Sequence, residues 1–140
     1  MVDNTEFVSS LIDVTQMMIL ETAANMEIAC ILVEASAKQK CPIDNGILSA
    51  AMQHDVQTSA EAIVGVVSNS MSYAPYVEKG TGIYAVDGNG RKTPWSWGNK
   101  GSKKWPGRKG WRGGRPHPFL EPARDENKEE IINILAGKTL

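Results

Sequence analysis

The first forty residues constrain this chain more than any other segment. Apolar residues recur at Phe7, Leu11, Val14 and Met18, and again at Ile28, Ile31 and Leu32. That is the three-to-four spacing of a helix face. Asp3 and Glu6 have the spacing of a capping box, with Asp in place of the usual Ser or Thr. Lys38 and Lys40 stand at the far end, where cations suit the helix dipole, and Pro42 stops the run. The pattern predicts one helix over residues 4–39, roughly 50 Å long at about 1.5 Å per residue. A chain of 140 residues folds to a radius of gyration of about 15 Å. Such a helix outruns its own domain, so part of it is expected to pack on another chain. The alternative is a break near Thr22–Asn25, giving two shorter helices.

Charge is balanced in total and divided in place. The formal net charge is −1. Residues 1–37 carry Asp3, Glu6, Asp13, Glu21, Glu27 and Glu34 and no base, and the acids from Glu6 onward recur nearly every heptad as one loose stripe. Residues 88–120 carry nine Lys and Arg and no acid, and all four Trp (95, 97, 105 and 111) lie there. This division says more about partners than the net charge does. It nominates an interface between copies of the chain: Glu6, Asp13, Glu21, Glu27 and Glu34 on one side; Trp95, Trp97, Trp105, Arg108, Lys109, Trp111 and Arg112 on the other. The same basic, Trp-bearing stretch (88–115) also suits a small nucleic-acid-binding protein, with Lys and Arg on phosphates and Trp stacked on bases.

Between these ends the signals are shorter. Asp44-Asn45-Gly46 reads as a turn. Residues 47–57 and 61–69 read as strands joined through Thr58-Ser59-Ala60 in a hairpin, the second apolar on both faces like a covered central strand. Residues 73–80 suit a helical turn ended by Gly80, and 83–86 the start of another strand. In residues 86–118, twelve of 33 positions are Gly or Pro. A loop of that length is either functional or disordered. It is expected to form a hairpin arm, with strands near 93–97 and 103–112 joined through 98–102; the alternative is an unstructured linker. A final helix is expected from Pro122 to Ala136, stopped by Gly137. The whole is a single α+β domain over 1–140, with the N- and C-terminal helices packed on a small, mostly antiparallel sheet and 86–118 extended from it. The hydrophobic share of 41% supports a packed core.

Catalytic patterns are missing from the sequence. His54 falls in a strand and reads as half-exposed; His117 lies between two prolines and reads as shaping a loop. Neither has metal-site spacing, and Cys30 and Cys41 have no companion pair. Glu78 and Asp87 read as solvated surface acids near a turn; the alternative is a carboxylate pair. No nucleophile elbow or phosphate-binding loop occurs. No enzyme, cofactor or metal is therefore expected. The acidic N-terminus has no signal-peptide pattern, so the two Cys are expected to be reduced. Acids interrupting the apolar runs read against a membrane span.

Three pieces in order resemble a known family: Pro42-x-Asp44-x-Gly46-x-Leu48 after the long helix; Tyr73-Ala74-Pro75-Tyr76-Val77-Glu78-x-Gly80-Thr81-Gly82 after an apolar strand; and Pro118-Phe119-Leu120-x-Pro122-Ala123 opening the last helix. Together, over about residues 1–136, they resemble the gene-product-ten-type tail components of lambdoid and Gram-positive tailed phages, the head–tail joining or tail completion proteins. Ile47 and Ala50-Ala51 depart from the common pattern, which has polar residues there. The resemblance implies a non-catalytic virion protein of the neck or upper tail of a long-tailed phage, made in the host cytoplasm. It implies a homo-oligomeric ring, commonly sixfold, between the head connector and stopper on one side and the tail terminator, tube and tape measure on the other, with genome DNA passing through. It also implies fold roles: Asp44 and Gly46 in a turn aiming the first strand; Tyr73, Pro75 and Tyr76 as an aromatic plug over the sheet; Phe119 and Leu120 anchoring the return of the arm.

Overall fold

The computed structural model describes residues 4–42, 46–59, 61–97 and 108–137. The fold is α+β. Helix α1 (Thr5–Lys40) runs unbroken through Thr22–Asn25 for 36 residues. Asn4 stands at its N-cap without a side-chain cap bond, and Asp3 lies outside the described residues. At its end Cys41 N–H reaches Ala37 O (3.0 Å) before Pro42. Gly46, at φ 70°, opens a single helical turn, α2 (Ile47–Ala50). Asp44 lies outside the described residues.

The expected strand over 47–57 therefore starts late. Strand β1 (Met52–Thr58) pairs antiparallel with β2 (Ile63–Asn69), Met52 opposite Asn69 and Thr58 opposite Ile63. Asn69 Nδ2 donates to Leu48 O (2.6 Å), which ties the helical turn to the end of the hairpin. Strand β2 is not a covered central strand: among the described residues the sheet has two strands, and Val64 and Val66 are exposed on its outer face. Its inner face lies on α1. There Gly65 allows a close approach: a Cβ would stand 2.5 Å from Cys30 Sγ and 2.7 Å from Met26 Sδ, so those side chains would have to shift.

Helix α3 (Ala74–Lys79) ends at Gly80 (φ 80°). A 3₁₀ turn, Gly82–Tyr84, replaces the strand expected at 83–86. The arm is a hairpin: β3 (Trp95–Trp97) pairs antiparallel with β4 (Arg108–Trp111), with a register shift between Trp95 and Trp97. Residues 98–107, which include the expected connection and Trp105, lie outside the described residues. The single C-terminal helix is instead two, α4 (Leu120–Glu126) and α5 (Lys128–Leu135). They break at Asn127, whose side-chain amide donates to Ala123 O (2.7 Å) and so satisfies a carbonyl the helix leaves open.

The core forms where the inner half of α1 meets the other elements. Val33, Ala37 and Cys41 from α1 and its C-cap pack with Leu48, Met52, Ala74, Phe119 and Ala123. Phe119 and Ala123 are fully buried, which puts Phe119 in the core where the arm returns.

Candidate functional site

Among the described residues nothing covers the outer half of α1. Every residue from Asn4 to Glu21 is exposed. Phe7, Leu11, Val14 and Met18 are each more than half exposed. At about 100° per residue these four fall within roughly 60° of one another, with Val8, Ile12 and Ile19 continuing the apolar face to one side. Glu6 and Asp13 flank the other side. The bare segment is ~25 Å long. By length and composition α1 is apolar enough to cross a membrane, with an 18-residue stretch of mean hydropathy 1.3. Its apolar character is thus greater than the spacing of its acids suggests.

The acidic stripe divides in two. Glu6, Asp13 and Glu21 lie on the bare half. Glu27 and Glu34, one heptad apart on the inner half, close on His54 of β1. His54 Nε2 meets Glu27 Oε1 at 2.5 Å, and Nδ1 bonds Glu34 Oε2. Lys38 adds a bond to Glu34 Oε1 (2.7 Å). A carboxylate on each nitrogen favours the imidazolium, the form that can donate from both. The Glu34 bond, then the Glu27 bond, hold the His54 pKa above its ordinary value. Lys38 first and His54 second hold Glu34 below its own. His54 is thus a partly exposed strand residue, as expected, and in addition an ionic tie between sheet and helix. Sequence reasoning missed it, although the pair of acids seven apart was the available signal.

Glu78 overturns an expectation. It is buried, and its carboxylate accepts N–H bonds from Phe119 (2.8 Å), Leu120 (3.1 Å) and Glu121 (3.0 Å). These are open donors at the start of α4, and Glu78 is their cap across more than forty residues. Next to it Lys79 Nζ reaches Glu121 Oε1 (2.5 Å). Asp87 is exposed, as expected.

The arm returns along the 81–83 segment. Thr81 N–H donates to Gly114 O (2.9 Å), Ile83 N–H to Arg112 O (3.0 Å) and Gly114 N–H to Thr81 Oγ1 (2.7 Å). The backbones touch: a Cβ on Gly82 would lie 1.9 Å from Arg112 O. This seam leaves an open groove of about 680 Å³, walled by Tyr73, Tyr76, Tyr84, Trp111, Arg115 and His117. Arg115 stacks over Tyr84 with 5.3 Å to the ring centre. Tyr73 and Tyr76 are therefore not a plug over the sheet. They are exposed, 40% and 63%, and face the arm, while Ala74 takes the buried place.

The remaining nominated residues follow the arm. Trp95 is half-buried, with Arg91 5.5 Å above its ring. Trp97 pairs with Arg108 through the backbone, and Lys109 follows in β4. Arg112 is exposed. Burial pushes both Cys30 and Cys41 thiols up, and both are free. Among the described residues no group of His, Cys, Asp and Glu is arranged to hold a metal. In comparisons with protein-family models, curated proteins and solved structures, nothing matches the chain.

Proposed function

We propose that this chain is a structural protein of the neck or upper tail of a tailed phage, building a homo-oligomeric ring that joins the head connector to the tail tube. The bare outer half of α1 is the observation that carries the reading. A continuous apolar helix face is stable in water only when something covers it. An ionised Asp near the centre of a spanning helix costs about 2.5–3.5 kcal/mol, and Asp13 sits midway along the bare half, which favours protein as the cover. The separation of acids and bases within one chain favours a copy of the same chain. The three ordered motifs add the phage context. Pro118-Phe119-Leu120 and Glu78 also meet in the structure, where the carboxylate caps the helix that the motif opens. The work done is mechanical: closing a ring, docking head to tail and leaving a passage for DNA.

The test is genetic. Deleting the gene from the phage that carries it should leave filled heads and separate tails in electron micrographs, with complementation restoring joined particles. Normal virions without the protein reject the reading. The aromatic, arginine-bearing groove supports a second reading, a nucleic-acid-binding protein. Submicromolar DNA binding by a monomer, weakening steeply with salt, would favour it.

A further inference from the structure

We propose that the outer half of α1 from one copy seats in the Tyr–Trp–Arg groove beside the arm of the next, joining neighbours helix into groove. This rests on the ring reading above and assigns its contact. Two unlike surfaces of one chain are both unfilled. One is a helix ridge of Phe7, Leu11, Val14 and Met18 bordered by Glu6 and Asp13. The other is a groove walled by three exposed tyrosine rings and the half-buried Trp111, with Arg115 inside it and no carboxylate among its described walls. Apolar ridge and aromatic trough match in kind, and the bordering charges match in sign.

The topology decides between copies meeting helix to helix and helix to groove. The helix is bare on its whole outer half, so the chain's own groove does not hold it. A surface and its complement on one molecule make a head-to-tail contact, which closes into a ring when the rotation allows. Helix-to-helix contact would bring acid against acid, since residues 1–37 hold no base to pair with. It would also leave the arginines unmatched.

Two full-length variants test this, Leu11→Cys and Tyr76→Cys. Both sites are exposed, so neither change disturbs the core, and native Cys30 and Cys41 are buried. The chains carry different mass tags and are mixed and treated with a short bismaleimide. The expected product is the mixed dimer, in about tenfold or greater excess over either like pair, because docking holds the two thiols at high effective concentration. Moving the helix cysteine to the opposite side, Gln16→Cys, should remove that excess. Three results overturn the proposal: Leu11→Cys chains linking only to one another; a stable oligomer by light scattering with no mixed dimer; or a thymidine oligonucleotide quenching Trp fluorescence in a chain that forms no mixed dimer. Normal virions without the gene, alongside a strong mixed dimer, would remove the phage reading and leave this contact standing.

Discussion

Glu78 supplies the cap that α4 lacks locally, since Phe119 at its N-cap position offers no side-chain acceptor. Glu78→Ala should leave three N–H groups without that carboxylate and cost about 2–3 kcal/mol, the range for hydrogen bonds to a charged group. Glu78→Gln keeps one acceptor oxygen and should cost less; urea unfolding of the two variants measures the difference. His54 carries a pH dependence of definite sign. Its folded pKa is raised above the ordinary 6.5, so its stabilisation is complete below that value and fades as pH climbs through the raised one. Glu34 is lowered from 4.5, so its share is complete above that value and is lost as pH falls through the lowered one. The tie is therefore strongest between about pH 4.5 and 6.5. Denaturant midpoints should fall on the alkaline side of this window, and His54→Gln should flatten that limb. An unchanged slope in the variant would show that the tie adds nothing. The role of Glu78 was not readable beforehand, and that of His54 only through the two acids seven apart. Glu78 finds its donors more than forty residues away, and His54 finds its acids twenty and twenty-seven residues back.

At the scale of elements, periodicity was a good guide where a segment packs by its own pattern. Helix α1, the 63–69 strand, the 74–79 turn and both arm strands lie where spacing placed them. It misled where a side-chain bond to the backbone sets the boundary. Asn69 holds Leu48 in a helical turn, which displaces the expected strand, and Asn127 splits the last helix through Ala123 O. The apolar outer face of β2 was read as covered, yet among the described residues nothing covers Val64 and Val66. Helix α1 divides into an anchored inner half and a bare outer half. Deleting residues 1–20 should therefore leave the core folded, with a thermal midpoint within a few degrees of the parent, since surface changes away from such contacts stay within about 0.5 kcal/mol. Circular dichroism and a thermal melt measure this. Collapse of the remaining fold would show that the outer half supports the core.

Over the whole molecule, the division of charge survives folding but is refined by it. Two of the five stripe acids, Glu27 and Glu34, are occupied inside the chain, which leaves Glu6, Asp13 and Glu21 facing outward. The groove could not be read from sequence, because Tyr73 and Tyr76 come to face Trp111 and Arg115 only once the arm is stitched to Thr81 and Ile83. The bare helix also carries a kinetic consequence. Isolated helices shorter than about 12–15 residues are marginal in water, and this one is only slightly longer, held beyond the core by bonds within the helix that include Thr15 Oγ1 to Leu11 O (2.8 Å). In a lone subunit its amide protons should trade with solvent far faster than those of the inner half. Once a neighbour arrives they should slow together, so that rigidity at the tip is acquired by joining and is not a property of the subunit in isolation.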